Sequence, residues 1–460
     1  MSKHRTVFLP RNLEIEVLIT ERPPEFRPFN QDHLRFILHQ ISNIYARNND
    51  RYSDARVPLN SSILVRYISN YQDYLRYLID CGIIETNGYY KPNEKSRCYG
   101  FSKHYRNVEL KGEVITNRLL LAKLNSSLYR GDEYHEATTK RGYLTKHFGS
   151  GKLIIDGVAA TEWLDQSFQP DQDVYKKGIT AINNFKEQNW HFSLSEKGGR
   201  LYSDLTGIKK ELRNFLSYEG KPLVEKDISC SQPFMLLGLL KPDFWKHPNS
   251  STEFRLRNIS DEVWSKYKCS NKYFNKIVSH INMLVNSYEI GHGNGFDDIQ
   301  LYRDLVGDGS YYDYLTMMYQ EECHERFADR ERIKKTVMWI MNGNQYDLYI
   351  PPGGMKCNPI ELFSMLFPSV HNFLVLLKEI GHEYVARLLQ GVESFIVLNR
   401  IGRRINKERP NMPLFTIHDC IVTTIDNEAY LEAVMLEEIE KHIGCRPSIK
   451  TKCWTPKNLQ

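Results

Sequence analysis

Two short acidic segments are the first places where this chain could do chemistry. In GKPLVEKDISCSQPFML, a short strand signalled by Leu223 and Val224 runs into Asp227, then into the small residues Ser229, Cys230 and Ser231, then Gln232. A carboxylate at a strand end, beside small side chains, leaves room for a divalent cation and a triphosphate. Taken alone, an Asp in the place of Asp227 is more often a helix cap. In NMPLFTIHDCIVTT, His418 and Asp419 lie between two apolar, strand-like stretches. An ionised Asp beside a hairpin turn is easily reached by a metal, and buried without a partner it would be costly. A third segment, ADRERIKKTVMWIMNGNQY, has a helical pattern through about Met341. Arg330 and Lys334 are four apart and share a face, and Met338 and Asn342 extend that row. Such a row could hold phosphates at its cationic end and a base and sugar at the other. The same spacing also suits a solvated basic face paired with Asp329 and Glu331. Finally, LSEKGGRLYS puts Arg200 after two glycines, where the backbone can approach a ligand closely. By itself that is a turn carrying an arginine.

Composition limits what these segments can belong to. The chain has 460 residues with a formal charge of +5, 41% hydrophobic and 25% charged. That is enough for two to four domains and a sizeable core, and it excludes a wholly disordered chain. The mild basic excess is compatible with a phosphate-bearing partner without requiring one. The apolar run Phe234 to Leu240 is far shorter than the ~20 residues needed to span a bilayer. The N-terminal residues lack the apolar stretch of a secretory signal. Nine scattered cysteines with no CxxC pair argue for reduced thiols in a cytoplasmic compartment and against a structural zinc site.

The elements that must position these residues are partly legible. Leu13 to Leu18 reads as a short strand and Gln31 to Ala46 as a helix. Residues 59–101 form a compact pattern: a cap at Asn60 or Ser61, an apolar stripe of Leu75, Leu78 and Ile79, a stop at Cys81-Gly82, and a strand with an Asn87-Gly88 turn before KPNEKSRCYGF. Helix, glycine stop, strand, basic turn, strand is the order of a winged helix-turn-helix; an ordinary small α+β packing unit has the same order. Residues 113–189 read as mostly helical. Beyond them, strand-like segments at Trp190 to Leu194, Leu414 to Ile417 and Cys420 to Thr424 bracket a helix-rich stretch, 232–408, which carries the loops GHGNGFDD and PPGGMKCNP. A sheet supplied by sequence-distant segments around a helical insertion is an α+β layout.

Taken in order, these segments resemble the motifs of the single-subunit bacteriophage and mitochondrial RNA polymerases together with the family A DNA polymerases. GGRLYS is similar to the Gly-Arg-x-Tyr segment of the RNA enzymes, DISCS to their first aspartate motif, RERIKKTVM to their Arg-x3-Lys helix with Gly343 at its end, and IHDC to their second aspartate motif. LLQGVES, with Gln390-Gly391, is similar to a Gln-Gly segment of the DNA enzymes. The resemblance covers about residues 190–460. It implies a right-hand polymerase: an antiparallel palm sheet with a helical fingers insertion, beside a small N-terminal winged-helix-like domain. The implied divisions are an N-terminal domain 1–112 (winged-helix-like unit about 55–105), a thumb-like segment 113–189, palm 190–235, fingers and palm helices 236–408, and palm with C-terminal tail 409–460.

The resemblance also implies roles. Asp227 and Asp419, with the backbone carbonyl of Ile228, would hold two Mg²⁺ ions about 3.5–4 Å apart, Mn²⁺ substituting. Arg330 and Lys334 would act catalytically on the triphosphate, with Met338, Asn342 and Gln232 completing the nucleotide site. Arg200, Tyr202, Gln390 and His418 would face template-primer, and Arg400, Arg403 and Arg404 of RIGRRINKER would track a nucleic-acid backbone or form a solvated loop. The implied partners are template-primer and nucleoside triphosphates, with no membrane. Two departures stand out. Gln232 occupies the sugar-gate position that is glutamate in the DNA enzymes and glycine in the RNA enzymes, and Asn342 stands where a tyrosine is usual. A carboxamide there either excludes a ribose by bulk or accepts it through a hydrogen bond. The short N-terminal region has no evident acidic exonuclease set, so proofreading is not expected. The expected function is a small template-directed nucleotidyltransferase of a phage or mobile element, possible primase activity included; the alternatives are an RNA polymerase, or a non-catalytic DNA-binding replication protein with a relict palm.

Overall fold

Alternation along Lys221–Ile228 sets up the sheet that matters most. Side chains two apart on a strand share a face, so Glu225 and Asp227 project to one side and Lys226 to the other. The computed structural model describes residues 4–48, 54–88, 96–269, 271–290, 297–322, 329–344 and 359–459. The chain divides into two units: Met1–Ser193, Tyr202–Pro222 and Trp454–Gln460 form the first, and Leu194–Leu201 with Leu223–Cys453 form the second. Both mix helices with antiparallel strands.

In the first unit, Arg5–Pro10 pairs antiparallel with Leu110–Ile115. The boundary expected at residue 112 therefore falls inside a strand. Leu13 to Leu18 is not a strand: Ile15–Glu21 is helical, burying Ile15, while Glu16 reaches back to the buried Arg35. Arg35 also holds Asp32 and Glu113 at 3.3 and 3.2 Å, and Asp32 accepts from the backbone of Thr116 and Asn117. Buried cation and carboxylates thus neutralise one another where the helix Gln31–Asn48 meets the strand pair.

Residues 57–101 build a three-stranded sheet in which Cys98–Phe101 lies between Val57–Pro58 and Ile84–Thr86. The helices Ser61–Tyr67 and Tyr71–Asp80 precede its hairpin. Asn60 caps the first by accepting from Ser62 N, and Gly82 ends the second with φ +72°. The buried stripe is Tyr74, Leu75, Tyr77 and Leu78, while Ile79 is 36% exposed, one step round the helix. The basic turn expected after Gly88 lies outside the described residues from 89 to 95, as do most of the GHGNGFDD and PPGGMKCNP loops.

In the second unit, Cys420–Thr424 pairs with Phe415–Ile417 on one side and Lys221–Ile228 on the other, placing Cys420 opposite both Ile417 and Asp227. Ile449–Trp454 pairs on the far edge of Lys221–Ile228. Every residue of the two hairpin strands is buried, and apart from Thr416, Thr423 and Thr424 their sequences are apolar. The helix Ser231–Leu239 is apolar all round and correspondingly buried; Gly238 lets Ile443 and Phe254 approach where a Cβ would collide. Asp329 caps Arg330–Asn342 by accepting from Arg332 N at 2.7 Å, and Ile333, Val337, Ile340 and Met341 face inward. His382–Ser394 runs into a π-helical segment, Phe395–Gly402, a winding that is rare and often found at functional sites. Among the described residues, no single helix is long and apolar enough to cross a membrane.

Lys226 shows how the reverse face of the sheet is secured. It is 1% exposed, and its ammonium donates to Glu428 at 2.7 Å, Glu432 at 2.5 Å and Thr451 at 2.7 Å. Removing the cation leaves two carboxylates facing each other. Lys226→Met should therefore lower unfolding stability by about 2–3 kcal/mol, less than for a fully buried pair because both glutamates reach solvent. Urea titration measures this, and an unchanged midpoint would deny the ammonium its structural role.

Candidate metal centre

Asp227 closes one strand and Asp419 sits in the two-residue hairpin turn beside it. The turn works because His418 adopts a left-handed backbone, φ +58°, a conformation tight hairpins demand. Cys230, φ +53°, makes a second sharp turn immediately after the Asp227 strand and starts the helix Ser231–Leu239. The result is a group of three ligand atoms, from Asp227, Asp419 and Cys420, all within 4.8 Å of one another. The Cys420 thiol donates to Asp227 Oδ1 at 3.1 Å and lies 3.8 Å from Glu225 Oε1. Burial, then the charges of Glu393 and Asp227, push Asp419 up to about 7. Such an excess of negative charge is what a divalent cation would offset. The two carboxylates supply the oxygen donors a hard cation takes, while the Cys420 thiol, whose pKa burial raises, keeps its proton beside them.

Glu393 is the unforeseen member of this region. Its carboxylate is nearly inaccessible and takes a bidentate pair of bonds from Arg200, Nε to Oε1 at 2.8 Å and Nη2 to Oε2 at 2.6 Å. Burial raises the Glu393 pKa and Arg200 opposes the rise. Arg200 follows a turn in which Gly199 has φ +66°, and the Arg200 carbonyl accepts from Ser195 N at 2.9 Å. Gln390 lies so close to Gly198 that a Cβ there would come within 2.7 Å of its Oε1, and Ser394 Oγ donates to the Gly198 carbonyl at 2.7 Å. The glycine pair thus admits the helix His382–Ser394 against the turn, bringing Arg200, Gln390 and Glu393 together.

The helical row has a graded environment. Arg330 Nε donates to Asp313 Oδ1 at 3.0 Å, with its guanidinium 5.5 Å from the Tyr312 ring centroid. Lys334 is exposed and Met338 is half-buried. At the far end Asn342 Nδ2 donates to Gln232 Oε1 at 3.0 Å, joining the two positions where the sequence departs from the resemblance. Ile228, whose carbonyl was expected to serve a metal, is buried at the end of the Asp227 strand.

Other expected residues sit elsewhere. Tyr202 is 38% exposed on a strand and belongs to the first unit. The run RIGRRINKER is not an open row of cations. Arg400 donates to His442 at 3.0 Å and to the Thr252 carbonyl, with Glu438 at 3.8 Å; Arg404 pairs with Glu408, Glu437 and Glu438 at 2.8, 2.7 and 3.2 Å. Arg403 is exposed and Arg409 stacks 3.7 Å over Tyr430. The acidic helix Glu428–Ile443 supplies most of these carboxylates, so Arg400 and Arg404 serve the packing of this region.

Sequence reasoning missed Glu225, Cys420, Tyr312 and Glu393. The first two carried a signal: Glu225 lies two before Asp227 on one strand face, and Cys420 follows Asp419 directly. Glu393 and Tyr312 had none, because their relevance arises only from packing between distant helices.

No protein-family model matches the chain, and no curated protein matches it. A similar solved structure is the POL domain of Pol1 from M. smegmatis in complex with DNA primer-template and dNTP, at 12% identity and a TM-score of 0.25, covering 65% of this chain and 56% of that one. The chain thus spans little more than half the length of that domain, and a likeness so slight carries no argument.

The Arg200–Glu393 pair makes a direct prediction. Glu393→Gln strands a mostly buried guanidinium and should cost about 3 kcal/mol of unfolding stability, part of which Arg200→Gln in the same chain restores. A double-mutant cycle in urea checks this; additive losses would mean the two side chains act separately.

Proposed function

We propose that this protein is a template-directed nucleotidyltransferase: a small, non-proofreading polymerase acting at Asp227 and Asp419. The observation that carries the reading is the convergence of these two carboxylates, from sequence-distant strands of one antiparallel sheet, to within 4.8 Å. On this reading the sheet is a palm and 236–408 supplies the fingers.

Asp227 and Asp419, with the Ile228 carbonyl, are the residues that would hold two Mg²⁺ ions, for which Mn²⁺ could substitute. Bound there, such ions would lower the pKa of the primer 3′-hydroxyl and neutralise charge on the incoming triphosphate. The chain's own groups do the rest. Arg330, oriented by Asp313, and the exposed Lys334 take the β- and γ-phosphates and offset charge on the departing pyrophosphate. Gln232, steadied by Asn342, faces the sugar; its bulk selects for a deoxyribose. Arg200 and Gln390 line the template-primer side, with Glu393 positioning Arg200.

The decisive assay supplies template, Mg²⁺ and labelled dNTPs or NTPs, each with and without primer. Extension with dNTPs and primer is expected; synthesis without primer would make the protein a primase, and exclusive use of NTPs an RNA polymerase. Asp227→Asn and Asp419→Asn should each lower incorporation about a thousandfold while leaving DNA binding within about threefold. Normal synthesis by both variants would sink the site assignment. Gln232→Gly should raise ribonucleotide incorporation about tenfold or more, and unchanged selectivity would discard the gate. Millimolar Mn²⁺ should raise the wild-type melting temperature and leave that of Asp419→Asn unmoved.

A second reading has its own support. Residues 57–101, two helices and a three-stranded antiparallel sheet, have an order compatible with a winged helix-turn-helix as well as with an ordinary small α+β unit, and the former would give the first unit a DNA-binding role. If DNA binds tightly and neither nucleotide class is incorporated under any condition, the protein is a non-catalytic DNA-binding protein.

A further inference from the structure

The first unit contains a cavity of about 540 Å³ that the proposed reaction does not use. Its size lies within the range of pockets that enclose small organic ligands, roughly 300–1,000 Å³. Four arginines line it: Arg5, Arg47, Arg66 and Arg130. Carboxamides join them, among them those of Asn43, Asn183, Asn184 and Asn189.

Three of the four arginines have acidic partners and the fourth, Arg130, has none among the described residues. Asp132 pairs with Arg66 at 3.2 Å, but its side chain is 92% exposed, and Glu133 is exposed too. Arg47 is held by Asp204 at 3.1 Å. Glu187 stands 4.0 Å from Arg5 and also accepts from Thr6 N. Arg130 makes no ion pair among the described residues. Its Nη1 donates to the neutral Asn189 Oδ1 at 2.9 Å, and its guanidinium lies 5.6 Å from the Tyr134 ring centroid.

The electrostatics agree with the geometry. Burial, then Arg130, lowers the Arg5 pKa to about 10. Burial, then Arg5, lowers His39 to about 3, and burial, then Arg47, lowers His191 to about 4. Both imidazoles line the cavity, so at neutral pH they add hydrogen-bonding groups without charge. The Asn183, Asn184 and Asn189 carboxamides are held in a chain: Asn183 donates to the Thr6 carbonyl, Asn189 to Asn184 and Asn184 to Asn43. A preformed cavity holding one guanidinium fork with no carboxylate partner among the described residues, ringed by carboxamides, suits the oxygens of a phosphate ester, and its apolar wall suits a flat organic group.

We propose that this cavity binds a phosphomonoester, Arg130 and Arg5 taking its oxygens and the asparagine carboxamides meeting the polar groups of the nucleoside that carries it. Two sources offer this chemistry, a free nucleotide and the 5′-phosphorylated end of a nucleic-acid strand.

Calorimetric titration of the full chain in EDTA tests the site, with AMP, inorganic phosphate, and a short oligonucleotide in 5′-phosphate and 5′-hydroxyl forms as probes. If free nucleotide is the ligand, AMP binds with a Kd below about 1 mM and the 5′-phosphate adds nothing to the oligonucleotide. If a strand end is the ligand, the 5′-phosphate tightens oligonucleotide binding about tenfold. In either case Arg130→Gln should weaken the phosphate-dependent binding about tenfold or more. Asn189→Asp, which places a carboxylate against the same guanidinium, should do likewise while the melting temperature holds. Lys334→Ala should leave it intact, which separates this site from the proposed polymerase site and its fate. No AMP binding together with no effect of the 5′-phosphate overturns the proposal. So does equal binding by both cavity variants, or loss in Lys334→Ala alone.

Discussion

Two carboxylates within 4.8 Å of each other, with a third buried nearby, repel, and much of the second unit is arranged around that repulsion. Several features keep the acidic groups in place. The Cys420 thiol donates to Asp227, so one aspartate is anchored from the neighbouring strand. Arg200 closes bidentately on Glu393 and confines that charge to its own pair. On the reverse of the sheet, Lys226 gathers Glu428 and Glu432 and ties the strand to the helix that follows the hairpin. What remains unbalanced is the charge shared by Asp227 and Asp419, and Asp419 responds by holding its proton to about pH 7.

Backbone strain is present at the same place. His418 and Cys230, neither of them glycine, both lie in the left-handed region, one in the turn that carries Asp419 and one just after the Asp227 strand. Conformations of this kind cost of order 1–3 kcal/mol each and persist only where the surroundings over-determine them. Here the surroundings are a fully buried hairpin and a fully apolar helix, whose packing energy is large enough to hold two unfavourable residues.

The Arg330 helix illustrates how one element can serve a graded site. Its inward face is ordinary core. Along its outer row the environment passes from an exposed lysine to an amide bonded to another amide. The Gln232–Asn342 bond holds one amide against the other, so the two departures from the resemblance are one coupled feature.

Local patterns determined a good deal. Strand-like apolar runs marked the hairpin at Cys420–Thr424, a helical pattern through about Met341 marked Arg330–Asn342, and Asn60 and Gly82 marked helix ends, because these signals act within a few residues. Where several patterns were compatible with one stretch, long-range contacts chose: Ile15–Glu21 became a helix once Glu16 could meet Arg35, residues 110–115 became a strand by pairing with Arg5–Pro10, and Arg400 and Arg404 turned toward the acidic helix rather than outward. The chain by itself settled which residues carry charge and which short elements bear them. Only the tertiary structure decided that Glu393 and Tyr312 share a neighbourhood with the two aspartates, because proximity between segments far apart in the chain is set by sheet register and helix packing, which no local pattern records.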